Sequence, residues 1–302
     1  MTDMEPEGIF SPEMESENPF EANWGKSIQV TVCESCDWQF LYPTEQSLSN
    51  CPHCFNPTLV TLGTEARGRL NLHAPEAILP VRVTSGKLAQ VVQTFAEGNW
   101  FPPKDLTETN LLRRMILLYL PVWLVDSSVQ ATWQAEAGFK YQVRSHRDRF
   151  DENRGGWSSQ EVQETRVRWE ARLGHLQRCY QNITVPALEE HAAIVRKLGQ
   201  FDLRLAETFR AEVLTGTRWV ACLPDRSPTD AWQEAEVEFL SQAARECQQA
   251  CRADQLRNFT WHPEFSEKNW TLLLLPVYTT YYEDDEGKLQ PLLINGQSGS
   301  FH

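Results

Sequence analysis

Residues 32–55 read V-C-E-S-C-D-W-Q-F-L-Y-P-T-E-Q-S-L-S-N-C-P-H-C-F, and they decide how the front of the chain folds. Two C-x-x-C pairs, Cys33/Cys36 and Cys51/Cys54, are separated by fourteen residues, Asp37 to Asn50. A C-x-x-C turn aims both sulfurs at one point, and thiolate is a soft ligand that suits Zn²⁺. Pairs of this kind usually stand about 15–20 residues apart, so the present spacing is just short of the norm. The reading is a structural zinc ribbon held by Cys33, Cys36, Cys51 and Cys54. Four sulfurs close a tetrahedron and leave no open position for catalysis. Disulfides would use the same cysteines, but no secretory leader precedes them, which points to a reducing compartment. A redox pair calls for one C-x-x-C in a βαβ setting. His53 could substitute for a ligand; a solvated knuckle residue is the plainer expectation. Trp38, Phe40 and Tyr42 alternate and are expected to cover one side of the hairpin.

Outward from this stretch, the chain of 302 residues has room for one to three domains. Lys and Arg number 28 against 41 Asp and Glu, a net charge of −13. Seven of the acids lie in the first 25 residues, which hold no Lys or Arg, so the remainder carries −6. An acidic chain argues against broad nucleic-acid affinity, which depends on Lys and Arg displacing counterions. The longest apolar run, Met115–Val125, is eleven residues with a proline inside, too short for a membrane helix. The expected location is cytoplasmic or membrane-peripheral.

The expected organisation is a disordered acidic tail over 1–23, a zinc ribbon over 24–64 and an α+β domain over 75–302. Residues 64–74 read as a linker. The fold class is α+β, with a mainly antiparallel sheet packed by helices. Thr84 or Ser85 caps a helix over Lys87–Glu97, with Leu88, Val91, Val92 and Phe95 on one face and Gly98 as its stop. Leu106–Arg113 reads as a helical turn or two. Met115–Asp126 and Trp270–Glu283 share a phrase, an apolar run followed by Pro-Val-aromatic and an alternating strand, and are read as a weak repeat. Between them, Lys140–Ser159 reads as a strand end and a loop. Val162–Leu173 and Leu176–Ile183 read as two antiparallel strands. A helix is expected from Pro186 to Leu198. Pro228-Thr229-Asp230 begins another, which runs from Ala231 to about Leu256 with Val237, Leu240, Ala244, Cys247 and Cys251 at three- and four-residue steps along it.

Catalytic motifs are scarce. Gly25-Lys26-Ser27 lacks the first glycine of a P-loop, because Phe20 stands there. Cys247 and Cys251 read as core residues, and Cys179 and Cys222 are isolated. His146, His175, His191 and His262 form no usable spacing. Glu189-Glu190 and Glu283–Glu286 read as solvated charge runs, the second followed by Gly287 as in a hairpin turn. The chain is therefore read as a non-enzyme. Eleven tryptophans are expected mainly in the core, with an aromatic peptide groove as the sharper alternative.

At Leu120-Pro121-Val122-Trp123-Leu124-Val125-Asp126, and again at Leu274-Leu275-Pro276-Val277-Tyr278 with Asn295-Gly296-Gln297-Ser298-Gly299, the sequence resembles a bacterial family. Its members carry an N-terminal zinc ribbon, a Y-L-P-F-W-L-F-D-like strand and a closing V-N-G-Q-T-G-K phrase. They are labelled as transcription factor IIB-type zinc-ribbon proteins or as relatives of primosomal helicase subunits, although no helicase motif occurs here. The resemblance covers the ribbon, about residues 75–135 and about 265–300. It implies the four cysteines as zinc ligands and no catalytic residue. It also implies an adaptor or scaffold role beside membrane-stress proteins of the phage-shock-protein-A and flotillin (SPFH) kind. Some relatives continue past the position of His302 toward a hydrophobic segment. The competing expectation is a nucleic-acid-associated ribbon, with Lys26, Arg67 and Arg69 near it contributing.

Overall fold

A computed structural model describes residues 24–63, 75–98, 100–151, 155–214 and 218–301. The acidic tail read over 1–23, the linker over 64–74, and Arg67 and Arg69 lie outside the described residues. The fold mixes α and β, and the described residues form four named α-helices and a large, mainly antiparallel sheet. Among the described residues no helix is long and apolar enough to cross a membrane.

The chain forms two compact units, and they are not the segments 24–64 and 75–302. The first comprises the described parts of Met1–Pro121, Glu190–Pro224 and Leu272–His302; the second is Val122–Glu189 with Asp225–Thr271.

In the first unit the cysteine hairpin is built from β1 (Ile28–Cys33), β2 (Gln39–Pro43) and β3 (Leu59–Thr61), with β2 and β3 both antiparallel to β1. It does not stand alone. Strand β2 pairs with β8 (Trp219–Cys222) at Phe40–Cys222 and Leu41–Ala221. Strand β8 in turn lies parallel to the start of β5 (Ile116–Asp151) at Leu117–Trp219. Alternation explains the merger. Ile28, Val30 and Leu41 share one face, and that face enters a core with Leu117, Tyr119, Trp219 and Leu274. A three-stranded hairpin has too little apolar surface to fold by itself, and this shared core supplies the rest.

The far side of the unit holds β4 (Ala77–Ile78), β7 (Glu207–Thr208), the end of β9 (Gln255–Glu283) and β10 (Leu289–Asn295). The strand read over Ile78–Val83 is thus only β4, which runs parallel to β9. Helix α1 (Ser85–Glu97) starts where its cap predicts, with the Lys87 N–H donating to Thr84 Oγ1 at 3.3 Å. Gly98 ends it, and Val91 and Val92 face Leu111 of α2 (Glu108–Arg114) and Leu292 and Ile294 of β10. Helix α3 (His191–Leu198) begins five residues later than expected, because Pro186 closes a strand instead of opening a helix.

The phrase Asn295–Gly299 ties this unit together. Buried Asn295 donates from Nδ2 to the Leu198 carbonyl at 3.3 Å and accepts from the Gln297 and Ser298 N–H groups at 2.9 and 3.1 Å. The Gly296 N–H donates to Pro276 O, and Gly296 O accepts from Arg82 and Val83. A Cβ on Gly296 would lie 2.9 Å from that Pro276 oxygen, which is why the phrase carries glycine there.

The second unit is a ribbon of β5 and β6 (Gly156–Pro186), packed with the first part of β9 and helix α4 (Pro228–Ala250). The loop expected within Lys140–Ser159 is largely strand: β5 runs to Asp151 and β6 resumes at Gly156. The two strands read over Val162–Leu173 and Leu176–Ile183 are one, and both pair with β5. Gly174 lies within this continuous strand, paired with Trp133. The Trp133 indole lies across it, and a Cβ there would fall 2.4 Å from the ring.

Helix α4 begins at Pro228, within the Pro228-Thr229-Asp230 stretch expected to start it, under a capping box of Ser227 and Asp230. It ends at Ala250, and Leu256 belongs to β9. Its buried stripe is Ala231, Trp232, Ala235, Phe239, Ala243 and Cys247, whereas Val237 is 68% exposed. Of the expected stripe Cys247 and Cys251 are buried, while the start of the buried face is set by small alanines, Ala231 and Ala235, that let α4 approach the sheet. Trp232, Phe239, Phe265 and Trp270 form a ring cluster beneath it, so these aromatics serve packing.

Candidate metal centre

Two turns of the same design present the cysteines. In the first, the Cys33 N–H donates to Trp38 O at 3.0 Å and the Asp37 N–H to Cys33 O at 2.8 Å. In the second, the Cys51 N–H donates to Asn56 O and the Phe55 N–H to Cys51 O, both at 2.9 Å. The residue four places after each leading cysteine, Asp37 or Phe55, has a positive φ of 59° or 64°. This left-handed step turns the chain back so that both sulfurs of a pair face inward. The pairing of β3 with β1, which sets Leu59 opposite Cys33, then brings the second turn against the first.

All four Sγ atoms lie within 4.8 Å of one another. Cys33 and Cys54 sulfurs are 3.5 Å apart, and those of Cys36 and Cys51 are 3.7 Å apart. None is in a disulfide, which would need about 2.05 Å. A tetrahedral ion bound to thiolates at about 2.3 Å spaces its sulfurs about 3.8 Å apart, so the cluster fits one. The four cysteines could bind a metal ion.

Polar donors already face the sulfurs. Cys51 Sγ accepts from the His53 and Cys54 N–H groups at 3.4 and 3.5 Å. Cys33 Sγ lies 3.2 Å from Thr58 Oγ1, which also meets Ser35 Oγ at 2.8 Å. Asn56 Nδ2 donates to Cys54 Sγ at 3.6 Å. These contacts have opposing effects across the cluster. Burial works against ionisation of Cys33, but hydrogen bonds from Thr58 and the Ser35 backbone outweigh it and bring the thiol down to about 6. Burial, reinforced by the neighbouring cysteines, pushes Cys51 up to about 12 and raises Cys36 well above the ordinary thiol range. One thiolate is welcome and further ones repel, so four are compatible only around a cation.

His53 takes another role than ligand or solvated residue. Its ring stacks on Trp38, with centroids 3.8 Å apart and planes within 3°. Its Nε2 lies 3.1 Å from Glu190 Oε2, so Glu190 is engaged as well. Burial lowers the imidazole pKa, against the pull of Glu190.

The second turn is fastened to the body of its unit by residues distant in sequence. Thr279 Oγ1 donates to Pro52 O at 3.0 Å. Asn50 Nδ2 donates to Phe55 O at 2.7 Å and to the Tyr281 hydroxyl at 3.3 Å. The Phe55 and Tyr281 rings stack at 4.8 Å, and Arg114 covers Tyr281 from 4.8 Å. Thr58, Glu190, Thr279 and Tyr281 escaped the sequence reading because nothing in their spacing ties them to the cysteines. Thr58 alone, four residues past Cys54, lay close enough to be noticed.

The remaining candidates stay dispersed. Cys247 and Cys251 are buried beside Trp133 and Ala135, Cys222 lies within β8, and Cys179 is exposed. Among the described residues the histidines join no group of three or more metal-ligating side chains. Lys26 is held by Glu45 at 2.9 Å. No protein-family model, no curated protein and no solved structure matches the chain.

Proposed function

We propose that the protein is a zinc-stabilised, non-enzymatic adaptor or scaffold that works through protein–protein contacts in a bacterial cytoplasmic or membrane-peripheral assembly. Cys33, Cys36, Cys51 and Cys54 hold the ion, which acts as a cross-link. Zinc suits four thiolates in a small tetrahedron better than the harder divalent ions, which take oxygen ligands. The observation that carries the reading is the closed ligand set. Cys33 and Cys51 have no exposure to solvent, and all four sulfurs converge within 4.8 Å of one another. The ion would weld the two turns into a rigid end on a sheet, the type of surface an adaptor presents. Resemblance to the zinc-ribbon family supports partners of the phage-shock-protein-A or flotillin (SPFH) kind.

The nucleic-acid reading has less support. The chain is acidic, and Lys26 is already paired with Glu45. The test has two parts. Metal analysis of the purified chain is expected to return one zinc per molecule. Affinity capture of the tagged full chain from native cells is expected to return a stoichiometric protein partner and no nucleic acid. Capture of nucleic acid that is released by salt, or of nothing at all, overturns the adaptor reading.

A further inference from the structure

The geometry points to a homodimer in which the outer edge of β6 pairs antiparallel with β6 of a second copy, centred on Arg168. Strand β6 hydrogen-bonds to β5 on one side, and among the described residues no other strand pairs with it. No backbone hydrogen bond outside the helices and strands involves residues 158–181 among those described. An open edge of this length is a pairing template that proteins normally blunt with lysine or proline. Between Gly156 and Val185, β6 has neither.

What β6 has instead is a row of charges that complements itself. Glu164, Arg166, Arg168, Glu170 and Arg172 lie on one face of the strand. A two-fold axis through Arg168 sets Arg166 opposite Glu170 of the second copy and Glu164 opposite its Arg172. Symmetry doubles these, giving four opposed pairs against one Arg168–Arg168 meeting. On the other face the same register puts Val167 opposite Trp169, Thr165 opposite Ala171 and Gln163 opposite Leu173. Moving the axis by half a residue, to a point between Val167 and Arg168 or between Arg168 and Trp169, would put every residue opposite one of the other face. Moving it by a full residue to Val167 sets Arg166 against Arg168 and Glu164 against Glu170, so the charges select the register.

The edge is also presented in usable form. Arg166 and Arg168 are exposed, with their side chains held near Glu164 and Glu170 by ion pairs along the strand. Trp169 leans inward over Gly138, where its ring carbons lie 2.9 Å from the position of a Cβ, and is covered by Arg257 at 4.0 Å. The bulky ring therefore leaves the edge clear. Leu173, 85% exposed, would be shielded opposite Gln163.

Sedimentation velocity of the full chain in low salt, with reductant, over a range reaching high-micromolar concentration, tests this. The wild type is expected to dimerise. Arg166→Glu sets like charges opposite each other twice and is expected to weaken the dimer by about tenfold or more. Adding Glu170→Arg to it exchanges the charges and is expected to restore dimerisation. Far-ultraviolet circular dichroism and thermal melts establish that each variant is folded. A wild type that remains monomeric overturns the proposal. So does a folded Arg166→Glu chain that dimerises as the wild type does, or a folded double variant that stays as weak as the single one.

Discussion

The ring of Phe55 stacks on that of Tyr281, 4.8 Å away, so the second cysteine turn and β9 share one contact although they are far apart in sequence. Tyr281 also accepts the Asn50 amide and lies under Arg114. It therefore holds the turn that presents Cys51 and Cys54. Tyr281→Ala is expected to destabilise the protein by about 2–3 kcal/mol, less than a fully buried aromatic. It should also weaken metal retention by about tenfold, as loss of an outer support does. Competition with a chromophoric chelator reads the second effect, and Tyr281→Phe should retain most of both.

Removal of an ion held by the four cysteines is expected to have a larger consequence. The β1–β3 hairpin lends one face to the core of the first unit, so its loss should unravel more than the hairpin. Cys51→Ser, or prolonged exposure to a strong chelator, is expected to lower the melting temperature by about 10–20 °C. Calorimetry with and without added zinc measures this. An unchanged melting temperature would mean that the hydrophobic core alone sustains the hairpin.

Gly174 sits under the Trp133 indole with no space for a side chain. Gly174→Ala is expected to cost about 2–3 kcal/mol in urea unfolding, because the ring must move out of a packed site beside Cys247 and Cys251. The change touches the second unit only, so zinc content should remain that of the wild type.

The start of α4 carries a pH signature. A hydrogen bond from Ser227 holds the Asp230 carboxyl below its ordinary range. A depressed carboxylate stabilises the fold above the unfolded pKa, about 3.9, and that contribution disappears as pH falls through the folded value. Ser227→Ala is expected to cost about 1 kcal/mol at pH 7. Asp230→Asn should lower the urea midpoint at pH 7, and its difference from wild type should shrink as the solution is acidified below about pH 4. A pH-independent difference would show that the carboxylate charge plays no part.

Much of this molecule is local. Cys33, Cys36, Cys51 and Cys54 announce their meeting point because a C-x-x-C turn is a short-range geometry, stabilised by hydrogen bonds within six residues. Thr84 and Gly98 bound α1 for the same reason, as capping depends on neighbours along the chain. The turn at Asp284–Gly287 is another such case, with Asp284 Oδ1 accepting from Glu286 and Lys288.

Tertiary structure decided the rest. The residues alone did not reveal that the hairpin would merge with β8, since Phe40–Cys222 pairing depends on closing a loop of well over a hundred residues. Nor did they reveal that β6 is one strand, because a glycine placed to admit a tryptophan looks the same in sequence as one placed to turn the chain. The phase of α4 was hidden likewise: which stripe is buried depends on the sheet it meets, and alanines chosen for close approach carry little apolar signal of their own. Short-range geometry is written in adjacent residues, whereas packing is a property of surfaces that come together only once the chain has folded.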